Sequence, residues 1–376
     1  MPTVVVKFIE AGIEAIQRSQ RGIAALILED TKQVIDKLAT KTNGHEVLPN
    51  PFLVYTVDDI PEELSDKNKD YILKALKGYN KPPLKVVVYM MQQGGDKAGA
   101  DRFQEPLKAM LTERFDYLAI PTIETAQLEY VATWVKTARE NKFKKIKVVL
   151  PGSNADYEGV INFGNTKVVT ADREYKAAEY TARIAGLVAG TNMTQSATYA
   201  PLTEVIDCDR HTQDEMDTMV NEGKFFIWYD GEKFKMSRAM NSLVTTSQGK
   251  LEGYQTIKIV DIMDMIYDDI RKTAQDSYIG KYTNDYENKC LLISAILGYF
   301  KQLENERLLQ KDYSTCEIDC EAVRTYQLSH GLFTKEELAK MSDDEVKKLD
   351  TKKIVFLKAK VRPLDAMEDI QLPINI

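Results

Sequence analysis

Short, almost unbroken apolar runs separated by amphipathic stretches set the strongest limit on how this chain can fold. Phe52–Val57, Leu84–Met91 (LKVVVYMM), Tyr117–Ile120 and Ile146–Leu150 carry little polar alternation. That pattern suits strands covered on both faces, as in a parallel sheet. Between these runs lie helix signals. Tyr71, Ile72, Ala75 and Leu76 share a face of a stretch closed by Gly78 and Pro82–Pro83. Phe103, Leu107, Met110 and Leu111 mark a short helix with Pro106 in its first turn. Thr122 can cap a helix whose stripe is Leu128, Val131, Val135 and Ala138. Strand and helix in alternation predict an α/β fold: a central, mainly parallel sheet flanked by helices, over residues 21–250.

Further along, Lys167–Thr170 reads as a strand and Arg173–Ala189 as a helix. The small residues of ARIAGLVAG suggest that this helix packs closely on a neighbour. Lys224–Tyr229 and Lys233–Met236 flank Asp230-Gly231, a hairpin signal. After a polar break at Gly249–Gly253, the pattern predicts a strand at Ile257–Val260 and helices over Ile262–Asp276 and Asn288–Leu309. A polar stretch, Lys335–Lys353, precedes a strand at Ile354–Val361. There Val355, Leu357, Ala359 and Val361 face one way, and Lys358, Lys360 and Arg362 the other. This portion, residues 251–364, is expected to be a smaller α+β C-terminal domain.

Both ends are β-rich without a local partner. Val4, Val5, Val6 and Phe8 lie in TVVVKFI, and Ile370, Leu372, Ile374 and Ile376 alternate along one face of the C-terminal segment. Such strands either pack on their own domain or find a sheet edge on another chain. The expected organisation is therefore an N-terminal arm at 1–20, the two domains, and a C-terminal arm at 365–376.

Composition narrows function by exclusion. Lys+Arg number 50 and Asp+Glu 57, so a broad basic face for nucleic acid is not expected. The longest apolar windows, Gly22–Leu28 and Leu291–Phe300, fall short of the ~20 residues of a membrane helix. Lys7 and Glu10 interrupt the N-terminal apolar stretch, which argues against a signal peptide. Four cysteines do not make a disulfide framework in a chain this long. Three histidines, His45, His211 and His330, leave little material for histidine catalysis or zinc.

The local motifs are weak. Gln93-Gly94-Gly95-Asp96-Lys97 follows a predicted strand, where an α/β fold can cradle phosphate. It lacks the spacing of GxxxxGK[ST] and GxGxxG. A cytosolic α/β enzyme holding a phosphate-bearing ligand at Gly94–Lys97 is the alternative reading; a plain glycine turn is the simpler one. Asp207-Cys208-Asp209-Arg210-His211 gathers metal-competent side chains, but no second pair sits at ligand spacing. Cys316 and Cys320 read as two reduced thiols. No GxSxG elbow is present, and no acid–base pair emerges.

Several segments resemble the contractile tail sheath proteins of phages and phage-like bacteriocins (tailocins). Arg21-Gly22-Ile23-Ala24-Ala25-Leu26 is similar to the family's opening strand, and ARIAGLVAGTNMTQSATYAPL (Ala182–Leu202) to its core helix and Ser-Ala-Thr-Tyr turn. Asn241–Asp285, ending in Tyr278-Ile279-Gly280-Lys281, is the most specific match, and Leu291–Leu303 continues it. Val361–Glu368 resembles the closing strand and the start of a C-terminal arm. The resemblance implies a non-enzymatic structural subunit without cofactor, catalytic residue or metal. Its implied partners are itself, in a six-fold helical assembly, an inner tail tube protein, and baseplate and tail terminator proteins. Nucleic acid and membrane insertion are not implied. It implies location in the tail of a virion or phage-like particle assembled in the bacterial host cytoplasm. The arms (Val4, Val5, Val6, Phe8, Ile370, Leu372, Ile374, Ile376) would exchange between subunits, with Val355, Leu357, Ala359 and Val361 on the receiving strand. Lys301, Glu304, Arg307, Lys311, Asp268, Arg271 and Lys272 are candidates for touching the tube.

Overall fold

A computed structural model describes residues 15–39, 48–94 and 99–375 of the 376-residue chain. The chain divides into two compact units. The larger comprises Gln20–Asp264 and the segment from Asp365; the smaller comprises the described residues up to Ser19 and Met265–Leu364.

The larger unit opens with β1 (Ile23–Asp30), α1 (Lys32–Leu38), β2 (Phe52–Val54), α2 (Asp66–Leu76) and β3 (Lys85–Gln92). It continues with α3 (Gln104–Met110), β4 (Tyr117–Ala119), α4 (Leu128–Asn141), β5 (Lys147–Pro151) and β6 (Val160–Phe163). Then come β7 (Lys167–Thr170), β8 (Glu174–Lys176), α5 (Ala177–Ala189), β9 (Val205–Cys208), α6 (Gln213–Asn221), β10 (Lys224–Phe225), β11 (Ile227–Tyr229) and β12 (Phe234–Met236). A seven-stranded sheet runs in the order β10-β6-β5-β4-β1-β3-β2. Every neighbouring pair is parallel except β2 with β3. The predicted α/β class, with a mainly parallel sheet, is therefore correct.

β1 shows why the strands read as unbroken apolar runs. Ala24, Leu26 and Leu28 enter the core on one face, with Tyr71, Ile72 and Ala75 of α2 and Ile184 and Leu187 of α5. Ile23, Ala25 and Ile27 enter the core on the other, with Leu107 and Met110 of α3 and Val131 and Val135 of α4. Both faces of the strand must therefore be apolar. The close packing expected of ARIAGLVAG is realised against α2: a Cβ on Gly186 would lie 2.0 Å from the Ala75 carbonyl oxygen. Asp230-Gly231 closes the β11–β12 hairpin, as the sequence predicts.

Several expectations need correction. Glu174–Lys176, expected as the first turn of a helix, pairs with β7 as a strand. The expected strand at Ile257–Val260 is instead the first turn of helix α7 (Ile257–Thr273). Ile257, Val260, Asp264 and Met265 recur at helical spacing and are all buried. Tertiary packing of that stripe overrides the β preference of the branched residues.

The smaller unit takes α7 from Met265, then α8 (Tyr286–Asn305), β13 (Thr315–Ile318), α9 (Cys320–Ser329), α10 (Lys335–Lys340), α11 (Asp343–Val346) and β14 (Leu357–Lys360). It is an α+β unit with a two-stranded sheet, β13–β14. The stretch Lys335–Lys353, expected as simply polar, contains two short helices capped by Thr334 and Ser342. Asp269 is fully buried and accepts from the Ser19 amide (2.7 Å) and the Tyr299 hydroxyl (2.6 Å), tying the incoming segment to α7 and α8.

Candidate assembly surface

The C-terminal segment leaves its unit at a built anchor. After α5 the chain makes a tight turn, Ser196-Ala197-Thr198-Tyr199, in which Tyr199 adopts a left-handed φ of 56°. The Thr198 hydroxyl donates to Glu368 Oε1 (2.5 Å) while accepting from the Ala239 amide (2.9 Å). The Ser196 hydroxyl lies 3.2 Å from the same carboxylate oxygen. Arg238 holds the second oxygen of Glu368 (3.2 Å) and grips Asp369 with both carboxylate oxygens at 2.6 and 2.7 Å. Lys258 is buried nearby. Burial pushes its pKa down against the opposing pull of Asp365 and Glu368. On either side of the anchor the side chains are open: Met367 before it is 94% exposed, and Ile370, Leu372 and Ile374 after it are 82%, 75% and 76% exposed. Ile376 and the N-terminal candidates Val4, Val5, Val6 and Phe8 lie outside the described residues.

In the smaller unit, β13 and β14 pair antiparallel, Cys316 opposite Ala359 and Ile318 opposite Leu357. Ile318 joins a small core with Cys320, Val323 and Val346, and Leu357 packs against it. The opposite face is polar, with Lys358 bridging to Glu317 at 3.2 Å. The strand expected over Ile354–Val361 is shorter: Val355 and Val361 flank it rather than pair, and Val355 is exposed. Asn284 accounts for the shorter start, because its amide donates to the Thr351 hydroxyl and to the carbonyls of Lys352 and Ile354. Those carbonyls hold a turn and cannot serve a ladder. Among the described residues each strand of this sheet keeps one edge without a strand partner.

The tube-contact candidates fall in different settings. Lys301 bridges to Glu304 (3.1 Å) and Asp312 (2.6 Å). Glu304 is buried and accepts from the amides of Asp312 and Ser314, so it shapes its own loop. Arg307, in a left-handed conformation, and Lys311 are exposed just past α8. Lys272 is exposed at the end of α7, while Asp268 and Arg271 are half-buried.

Other motifs serve structure. Asp209 accepts from the amide and hydroxyl of Thr166, and Arg210 pairs with Asp207. Burial pushes the Cys208 thiol up to about 12. Among the described residues no three metal-competent side chains are gathered. Gly94 follows β3 in a turn, and Gly95–Lys97 lie outside the described residues.

Sequence reasoning missed a buried ionic cluster in the larger unit. Asp264 accepts from Arg139 through two parallel bonds of 2.9 Å and from Lys147 at 2.7 Å. Lys147 also pairs with Asp261 (2.9 Å), whose other oxygen takes the Tyr117 hydroxyl. Glu158 completes the group between Arg139 and Lys250. The signal was available: Asp261 and Asp264 lie three apart among Ile259, Val260, Ile262 and Met265, two carboxylates on a helix rich in buried apolar residues.

The larger unit is a mostly parallel sheet with flanking helices, the smaller a separate C-terminal α+β unit, and an anchored terminal segment carries exposed apolar side chains. The chain belongs to the phage tail sheath family: residues 96–242 match the family's central domain and residues 250–376 its C-terminal domain. It is 32% identical over 376 residues to the tail sheath protein of Clostridium phage phiCD119, covering 99% of this chain and 98% of that one. The fold matches the crystal structure of a sheath tail protein from Desulfitobacterium hafniense, with a TM-score of 0.68 and 19% identity over 84% of this chain and 94% of the other. It also matches the helical sheath of the anti-feeding prophage in its contracted state, with a TM-score of 0.70 and 13% identity over 100% and 98% of the two chains. The protein is thus a structural component of a contractile phage-type tail.

Proposed function

We propose that this subunit polymerises helically, with six-fold symmetry, around an inner tail tube through terminal strands exchanged between neighbours. Contraction of the polymer then drives the tube through the target envelope. No catalytic step or cofactor enters this reading. The observation that carries it is the alternation of Ile370, Leu372 and Ile374, each at least three-quarters exposed. Three aliphatic side chains presented on one face of an extended segment are stable only when something covers them. The free edges of the β13–β14 sheet, with Leu357 and Ala359 on its apolar face and Val355 and Val361 flanking, offer a matching receptor. Burying the four aliphatic side chains Ile370, Leu372, Ile374 and Ile376 yields on the order of 10 kcal/mol before ordering costs. A similar role falls to the N-terminal arm over residues 1–20, with Val4, Val5, Val6 and Phe8.

Within this reading, residues 21–250 and 251–364 are the two sheath domains and 365–376 the C-terminal arm. The exposed charges Arg307, Lys311 and Lys272 are the best placed of the candidates to touch the tube; such contacts are weak and salt-sensitive, which suits a grip that must release. Baseplate and terminator proteins cap the polymer, which assembles in the host cytoplasm. The test is removal of Ile370–Ile376. The shortened chain should melt like the full chain yet form no tubes by electron microscopy. Tubes appearing at the full chain's concentration would overturn strand exchange.

A further inference from the structure

We infer that Ser196, Thr198 and Arg238 form a carboxylate clamp for the Glu368–Asp369 pair of the same chain, and that this clamp makes Ile370 the first residue handed to a second copy. The inference rests on the proposed strand exchange and adds where the exchanged segment begins.

Three observations converge. The two carboxylates are adjacent, and donors from two separate loops meet them: the Ser196–Tyr199 turn and Arg238. The clamp is graded in exposure. The Glu368 side chain is 14% exposed, Arg238 39% and Asp369 74%, so the clamp shields Glu368 alone in a segment whose neighbours on both sides, Met367 and Asp369, are open. The apolar alternation starts at the next residue, Ile370. The turn is held in a form that costs energy, since Tyr199 has a left-handed φ. In the same turn the Ser196 and Thr198 hydroxyls lie 3.2 and 2.5 Å from one carboxylate oxygen. A segment bound for a neighbour needs a fixed departure point. Without one, loop entropy at its base would lower the effective concentration of its apolar residues at the receiving sheet.

A charge swap separates a clamp within one chain from a clamp shared between chains. Arg238→Asp and Asp369→Arg should each raise the concentration needed for tube formation about tenfold, with the thermal midpoint unchanged. The double variant in one chain should recover part of the loss, through the 238–369 pair alone, because Glu368 stays without its arginine. An equimolar mixture of the two single variants should not recover. Recovery in the mixture would show that the anchor itself is exchanged and would overturn the inference, as would single variants that assemble like the unchanged chain. Removing Ile370–Ile376 serves as the control on the underlying reading. If that truncation assembles normally, strand exchange fails. If it abolishes tubes while the swaps have no effect, only the clamp fails.

Discussion

Replacing Asp264 with asparagine should be among the most damaging single changes in the larger unit. The cluster around it is balanced: Arg139, Lys147 and Lys250 against Asp264, Asp261 and Glu158. Asp264 is 3% exposed and receives three donors, so its carboxylate uses both oxygens. An asparagine of the same shape turns its NH2 toward Arg139 in either orientation, and in one of them toward Lys147 as well, placing donor against donor. It also leaves one positive charge uncompensated among side chains that are at most 4% exposed. At an effective dielectric of about 20, each contact near 2.8 Å is worth roughly 6 kcal/mol of attraction before desolvation. After desolvation, breaking a buried pair from one side costs about 3–5 kcal/mol. The assay is urea unfolding at pH 7 followed by tryptophan fluorescence. Both tryptophans, Trp134 and Trp228, lie in this unit. The midpoint should fall with the slope preserved. Adding Lys147→Met should return part of the loss by restoring balance, a non-additive outcome. The pH dependence has a definite sign. Burial pushes the Asp264 pKa up, but Lys147 and Arg139 reverse that and hold it far below the usual carboxylate range. Its contribution is therefore complete above the ordinary Asp value of about 3.9 and disappears as pH falls toward the lowered folded value. Asp264→Asn should flatten the acid limb of the stability curve. A loss under 1 kcal/mol at pH 7 would refute the reasoning.

Two further outcomes follow from the same packing. Gly186→Ala should destabilise by about 1–3 kcal/mol despite alanine's better helix propensity, because the new Cβ meets the Ala75 backbone at 2.0 Å and two helices must part; an unchanged urea midpoint would count against it. At pH 8 a thiol reagent should label half-buried Cys290 first and Cys208 only on unfolding, since burial pushes the latter thiol up to about 12; mass spectrometry of labelled peptides reads the order.

The parts of this fold that were legible are those where one physical rule dominates. Burial on both faces erases alternation, and LKVVVYMM announced β3 for that reason. The period of two at Ile370–Ile374 stood out because nothing helical competes with it. Ile257–Val260 failed because a strand signal four residues long is also one helical turn, and only the buried stripe continuing to Met265 decides. The clamp was not legible, and of the ionic cluster only the carboxylates Asp261 and Asp264 on an apolar helix could have been singled out, not their partners. Glu368 meets Thr198 across 170 positions and Asp264 meets Arg139 across 125, and no local pattern records such pairings. Their chemistry was visible as residue types; their partners were set by topology.

If the proposed strand exchange holds, the clamp also bounds how far neighbouring subunits can move apart. Under strand exchange, Asp369 is fixed in one subunit and Ile374 sits in a neighbour's sheet. Because Ile370 is the first residue handed over, the free tether is the single step from Asp369 to Ile370, ~3.8 Å. Under this reading a rotation of neighbours is taken up by the backbone torsions just past Asp369, where the Ile370 side chain is 82% exposed. A translation cannot exceed the tether. Neighbouring subunits can then swing about Asp369 while the contacts of Ile370, Leu372 and Ile374 stay intact, so lattice connectivity and lattice geometry are carried by different residues. Inserting two glycines after Asp369 separates them experimentally: assembly should persist, while the pitch and diameter of the tubes become heterogeneous by electron microscopy. Tubes of unchanged uniformity would mean that the tether length sets neither.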